Sequence, residues 1–308
     1  MKISVIGAAG TLGSCISFDI IINKLADELV MLDPFKDALT GHWLDLKHTS
    51  TGKDVNVVKG EYADMAGSDI VVITAGAPTG AIKQRSDLLP SSMPIIKEAA
   101  LNINQYCPDS IVILETNPVD SLNYELYLLS QNKDRRRFLG YSMNDSLRFR
   151  YWISESLKVP SSTVEGIVIG EHGPTQVMLF SSVKINGKKV NVDEATKKFI
   201  RGQPVIFLGT MENLKPRRTA GWLSAVGTIE VIKAIKNDSG VVLPCNVIQD
   251  GEYGYKGLSM TVPVVVGKEG MRSVIKLKLT AEEQEGVRNT VNAMNPLMKI
   301  VEDYVAKA

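Results

Sequence analysis

Among the residues able to do chemistry, His172 is the clearest candidate for a proton-transfer group, set in Ile169-Gly170-Glu171-His172-Gly173. An imidazole titrates near neutrality, which suits reversible exchange of a proton with a hydroxyl group. Such a base gains from a buried carboxylate that orients its ring and stabilises the imidazolium, and Asp145 in Asn144-Asp145-Ser146-Leu147-Arg148 is the candidate. On a helix Asp145 and Arg148, three residues apart, share a face. One segment can then present both the carboxylate and a cation, and arginine grips a substrate carboxylate with a planar fork that lysine lacks. Removing a hydride from an alcohol carbon would call on such a set: a base for the hydroxyl proton, a cation to polarise the carbonyl formed, and a second cation for a substrate carboxylate. Singly the signals are modest, since most histidines are structural and Asp-x-x-Arg on a helix is usually a solvated pair.

A hydride needs an acceptor, and the amino-terminal region carries a pattern suited to one. Gly7-Ala8-Ala9-Gly10-Thr11-Leu12-Gly13 follows an apolar strand and opens a helix. There a dinucleotide pyrophosphate would meet backbone N–H groups and the positive end of a helix dipole. The spacing is G-x-x-G-x-x-G rather than G-x-G-x-x-G, and a glycine-rich loop alone is equally a tight turn. Twenty residues after Gly13, Asp33 closes the next apolar run, where a carboxylate accepts hydrogen bonds from ribose hydroxyls. The same charge repels a 2′-phosphate, which favours NAD over NADP. The competing reading makes Asp33 a turn residue before Pro34. Thr74-Ala75-Gly76-Ala77-Pro78 and Thr116-Asn117-Pro118 end two further apolar runs and would complete a crevice.

The elements that must position these residues are legible as an alternation of short apolar runs and helical stretches. Residues 3–6, 29–32, 70–74 and 111–115 read as strands, which predicts βαβ units and a parallel sheet with helices on both faces. Ligands bind at the carboxyl ends of such strands, where the motifs fall. Beyond about residue 142 the texture changes to a helix over 145–157 and strands over 164–169 and 177–185. A hairpin follows at Asn186-Gly187, and a second joins 261–266 to 273–279. Thr280 with Glu283 forms a capping box for a final helix. The expected fold class is therefore α/β: a Rossmann-type doubly wound parallel sheet over residues 1–142, followed by an α+β domain with antiparallel strands over 143–308.

Composition narrows the partners. A chain of 308 residues with 44% hydrophobic and 22% charged residues can bury a large core unaided, and two domains are expected. Its net charge of +1 gives no reason to expect nucleic acid or an anionic membrane as partner, which leaves small molecules and other proteins. Cys15, Cys107 and Cys245 are odd in number, widely spaced and outside any C-x-x-C pair, so they read as reduced core thiols. No signal-peptide pattern and no apolar run of membrane-spanning length is present, so a soluble cytoplasmic location is expected. His42, Asp45 and His48 share a helix face, but no further ligand is placed to complete a metal site, and a solvated face is expected there. The run Lys133-Asp134-Arg135-Arg136-Arg137 reads as a solvated loop, and Tyr151 and Trp152 as core or subunit contacts.

The ordered set GAAGTLG (7–13), Asp33, TAGAP (74–78), Arg85, TNPVD (116–120), NDSLRFR (144–150), IGEHG (169–173) and TVPVVVGKEG (261–270) resembles the malate and lactate dehydrogenase family from residue 1 to about 305. The resemblance implies that His172 is the proton donor and acceptor, Asp145 its partner, and Arg148 the clamp on the substrate carboxylate. It implies that Arg85 polarises the reacting carbonyl from a mobile loop over residues 77–87. Asn117 would hydrogen-bond substrate and the nicotinamide side. Gly7, Gly10, Thr11, Leu12, Gly13, Asp33, Thr74, Ala75 and Gly76 would hold NAD. A small 2-hydroxy or 2-oxo acid is the implied substrate, (S)-malate first and L-lactate or another L-2-hydroxy acid second, in a homodimer or homotetramer.

Three departures from the family pattern bear on the substrate and on the hinge of the mobile loop. Six residues before Arg85, where malate enzymes carry arginine and lactate enzymes usually glutamine, stands Thr79. A dicarboxylate would then need another cation, for which Lys83, Arg217 and Arg218 are candidates. Ser92 replaces an asparagine common in relatives, and Pro94 predicts a later helix start. Ala220 replaces a hydroxyl that lines the pocket of the lactate enzymes. Two other readings of the crevice are an NAD-dependent glycosidase, against which the GEHG and DSLR motifs speak, and a non-catalytic NAD-binding module.

Overall fold

Runs of β-branched and aliphatic residues pair where burial on both faces rewards them. The computed structural model describes residues 1–77, 85–213 and 221–307. In chain order the first half is β1 (Lys2–Ile6), α1 (Thr11–Ile22), β2 (Glu28–Leu32), α2 (Lys36–Thr49), β3 (Asn56–Lys59), β4 (Ile70–Ile73), α3 (Leu89–Tyr106), β5 (Ile111–Leu114), α4 (Val119–Leu129) and β6 (Phe138–Tyr141). These strands are parallel in the order β3-β2-β1-β4-β5-β6. The order reverses between β1 and β4, and a doubly wound sheet opens its ligand crevice at that point. Two strands here, β3 and β6, were not among those expected. Edge strand β3 has little apolar signature because it is only half covered.

The second half contains α5 (Met143–Leu157), β7 (Val164–Glu165), β8 (Val168–Ile169), β9 (Val177–Met178), β10 (Lys184–Ile185), β11 (Lys188–Lys189), α6 (Glu194–Asn213), α7 (Trp222–Lys236), β12 (Val241–Asp250), β13 (Lys256–Gly267), β14 (Gly270–Val274) and α8 (Ala281–Val305). Strands β12 to β14 are antiparallel, as expected of this half, but they extend the first sheet, because β12 pairs with β6 through Cys245 and Asn246. Proline in a strand argues against an interior position. Pro244 falls one residue short of the β6 pairing, so its missing N–H leaves no gap there.

Several expected elements are shorter in the structure. The strand over 164–169 is split into β7 and β8 at Gly166, whose carbonyl accepts from Arg150 Nε at 2.8 Å and where an added β-carbon would sit 3.0 Å from the Phe149 ring. The run 177–185 is interrupted by a 3-10 turn over Phe180–Ser182. Strand β14 stops at Val274 because Tyr253 takes over the next backbone groups: its hydroxyl donates to the Ile275 carbonyl and accepts from the Leu277 N–H. The Asn186-Gly187 hairpin forms as expected, with both residues at positive φ, as does the capping box of α8.

Two expectations are overturned. Helix α3 begins at Leu89, so Pro94 lies inside it and does not delay it; Pro90 occupies the first turn. The basic run is no solvated loop. Arg137 is buried, donates to the Ser110 carbonyl, and has its guanidinium pushed down by burial. Arg135 pairs with Glu252 at 2.6 Å and caps the Ile248 carbonyl. His42, Asp45 and His48 lie on an exposed face of α2. Tyr151 and Trp152 meet edge to face, and Trp152 packs likewise against Phe199.

Candidate active site

At the switch point the glycine loop is shaped by close contact. Gly7 has φ +89°, a conformation that L side chains rarely adopt, and a β-carbon there would sit 2.6 Å from the Ala75 nitrogen. A β-carbon on Gly13 would lie 2.2 Å from the Gly7 carbonyl oxygen, so only glycine lets α1 start this close to the loop. Thr74 ties the ends of β1 and β4 by donating to the carbonyls of Ile6 and Gly7 at 3.1 and 3.0 Å. No side chain caps α1 at Gly10, and Gly10, Thr11 and Gly76 are exposed around the helix N-terminus. Leu12 and Ala75 pack partly buried against the core.

Asp33 ends β2 beside this loop. Its two oxygens accept the N–H groups of Ala9 and Phe35, each at 3.0 Å. The bond to Phe35 is the turn-forming role of the competing reading, and the bond to Ala9 aims the carboxylate at the glycine loop. Each oxygen keeps a second lone pair for a ribose hydroxyl. Asn117, at the end of the turn after β5, has a buried Oδ1 with no hydrogen-bond partner. An orphaned acceptor beside a crevice fits a ligand that donates. The glycine cradle, the Asp33 carboxylate and the Asn117 acceptor together fit an NAD-sized dinucleotide.

The candidate proton-transfer residues converge from two separate segments. Helix α5 holds Asp145 in its first turn and Arg148 one turn later. His172 follows β8, and Gly170 fixes that loop by exchanging both backbone bonds with Thr261 on β13 at 2.9 Å. His172 Nδ1 lies 2.6 Å from Asp145 Oδ2, with the two side chains 5% and 9% exposed. Arg148 Nη1 lies 3.8 Å from the other Asp145 oxygen, and its guanidinium stacks 4.6 Å over the Phe207 ring. Asp145 therefore orients the imidazole and Arg148 together, in a site dry enough to strengthen both interactions. Thr79 and the side chain of Arg85 lie outside the described residues, as do Lys83, Arg217, Arg218 and Ala220.

Further polar groups around the site escaped the sequence reading. Asp120 is buried, accepts the His172 backbone N–H at 3.0 Å, and has its carboxyl pushed well up by burial and by Glu171. Glu171 anchors the same loop through the N–H of Thr175 at 3.0 Å. Glu115 at the end of β5 is buried against the Thr228 hydroxyl, and burial raises its carboxyl to about 8. Only the TNPVD motif hinted at Asp120, because its partners lie far along the chain. A cavity beside His172 is lined by Ser86, Pro118, Asp120, Ser121, Glu171 and Leu297, so α8 closes one wall.

A glycine-cradled crevice at the switch point of a doubly wound sheet defines a dinucleotide-binding protein. Residues 1–139 match the model of the lactate/malate dehydrogenase NAD binding domain, and residues 144–306 that of the lactate/malate dehydrogenase alpha/beta C-terminal domain. A malate dehydrogenase of Natronomonas pharaonis is 37% identical over 288 residues, 92% of this chain and 94% of that protein. Among solved structures, malate dehydrogenase of Cryptosporidium parvum superposes with a TM-score of 0.92 at 31% identity, covering 98% of this chain and 99% of that one. The lactate dehydrogenase of the same organism, complexed with lactic acid and nicotinamide adenine dinucleotide, gives 0.91 at 30%, covering 98% of both chains. The chain belongs to the lactate/malate dehydrogenase family, and its cofactor is NAD.

Proposed function

We propose that the protein interconverts (S)-malate and oxaloacetate with NAD, using His172 and Asp145 as the acid–base pair. The observation that carries this is the buried 2.6 Å contact between His172 Nδ1 and Asp145, with Arg148 on the next turn of the same helix. Bound NAD supplies the hydride acceptor. His172 takes the hydroxyl proton at Nε2, and the Asp145 carboxylate stabilises the imidazolium that results. Arg148 holds the substrate carboxylate. The family resemblance assigns Arg85 to the reacting carbonyl and Asn117 and Thr79 to the substrate pocket, with Asn117 also serving NAD.

Malate is favoured because the similar proteins of Natronomonas and Halobacterium are malate dehydrogenases, at 37% and 36% identity. Thr79 is the reason for a second reading, L-lactate or another L-2-hydroxy acid, since it matches the arginine of malate enzymes no better than the glutamine of lactate enzymes. Steady-state rates with oxaloacetate and pyruvate, each with NADH and NADPH, separate the two. A preference for pyruvate above about tenfold, roughly 1.4 kcal/mol in transition-state binding, would overturn the malate reading. His172→Asn should lower kcat with either acid by orders of magnitude, on the order of 1000-fold or more. Retained activity would remove His172 from the chemistry.

The reading includes a division into a nucleotide-binding part over 1–142 and a catalytic part over 143–308, and a cytoplasmic location. Among the described residues no helix is long and apolar enough to cross a membrane. A homodimer or homotetramer is also proposed. It is supported by exposed Phe18 and Ile22 on α1 and Trp222 and Val226 on α7, two helices that pack together. A monomer by sedimentation velocity would count against it.

A further inference from the structure

We infer that Asp120 is a positioning residue for His172, fixing the main chain of the base while Asp145 fixes its ring. This rests on the proposed role of His172. The Asp120 carboxylate is buried and accepts at both ends: Oδ2 takes the His172 N–H at 3.0 Å, and Oδ1 takes Asn246 Nδ2. The two donors come from distant stretches, the loop after β8 and the middle of β12. Asn246 is set in turn by the Ser259 hydroxyl on β13, and Asn123 on α4 donates to Ser259 at 2.9 Å. Asn123, Asn246 and Ser259 are all wholly buried. Helix α4, β12, β13 and the His172 loop are thus tied into one network around this carboxylate.

The consequence is geometric. His172 lies on a loop, and the ring contact with Asp145 constrains its orientation without fixing the backbone from which it hangs. Gly170, paired with Thr261, holds the loop before it, and anchoring the His172 N–H removes the freedom left at the base itself; a displacement of roughly 1 Å at such a group costs about 100-fold in rate. A carboxylate suits the place because both facing groups are N–H donors. A carboxamide accepts at one end and presents its own NH2 at the other, so one donor would face another. The network is therefore polar in a defined sense, with acceptor at 120 and donor at 246, and exchanging the two preserves every bond. In the exchanged pair the amide at 120 still accepts from His172 and donates to the carboxylate at 246, which still accepts from Ser259.

Asp120→Asn, Asn246→Asp and the double exchange, made in the full chain, test this. Each single change should lower kcat about 10- to 100-fold, with NADH affinity within about twofold of the parent. The primary isotope effect with deuterated NADH should rise as the chemical step becomes limiting, which a purely structural lesion would not produce. The double variant should recover to within about tenfold of the parent kcat. Singles within about twofold of parental kcat would overturn the inference, as would a folded double variant slower than about 100-fold below the parent. The double variant decides the matter even where a single one fails to fold. His172→Asn keeps the two readings apart: if it abolishes turnover while Asp120→Asn does not, the anchor fails and the base assignment stands. If it retains turnover, the base assignment fails first.

Discussion

Replacing Glu125 by methionine should stabilise this protein by an amount that grows as pH rises. Glu125 lies on α4, fully buried, and neither carboxylate oxygen has a hydrogen-bond partner. Burial raises its carboxyl from 4.5 to about 8, with Lys97 on α3 opposing. Lys97 lies over the ring of Tyr304 on α8, whose phenol is pushed up by burial and by the Glu125 charge. An acid whose pKa is raised by folding keeps its proton in the native state after the unfolded chain has released it. Stability is therefore unaffected below about 4.5, falls as pH rises from there, and levels off above about 8. The gap of about 3.5 pH units corresponds to about 5 kcal/mol over the whole window. Methionine keeps helix propensity and fills similar volume without a proton to lose. Urea unfolding near pH 5 and near pH 8.5, at one protein concentration, should show the advantage of the variant growing by several kcal/mol, on the order of the full gap. A difference between variant and parent that does not change with pH would refute the reasoning.

Gly13→Ala places a β-carbon 2.2 Å from the Gly7 carbonyl oxygen and must push α1 off the loop. NADH affinity, followed by its fluorescence, should weaken by at least about tenfold, and an unchanged affinity would show that the loop does not hold the dinucleotide. Arg148→Lys keeps the charge but loses the fork and the stacking on Phe207. KM for the 2-oxo acid should rise roughly 10- to 100-fold with NADH affinity unchanged, and a KM within about twofold of the parent would remove Arg148 from the substrate clamp.

Features whose cause lies within a few residues were legible in the sequence. The strands at 3–6, 29–32, 70–73 and 111–114 show as apolar runs because both of their faces are covered. The Asn186-Gly187 turn and the Thr280–Glu283 capping box are local chemistry, and each formed as expected. The glycine loop and the Asp145–Arg148 spacing belong to this class too. What lay beyond reach depends on partners far along the chain. Strand β12 was not among the expected strands, and the place of its Pro244 just outside the β6 ladder is set only once the sheet is assembled. Arg137 passed for a solvated residue because nothing local announces that the Ser110 carbonyl waits to receive it.

The sequence by itself determined the doubly wound sheet, the nucleotide crevice at its edge and the choice of His172, Asp145 and Arg148 as the proposed reactive set, since residue type, period and motif carry those. Tertiary structure alone decided how the set is held. Asp145 and Asp120 reach His172 across 27 and 52 residues, and Asn246 reaches Asp120 across 126. A buried carboxylate acquires a role only from the donors that folding brings to it, and separations of that length leave no trace in local pattern.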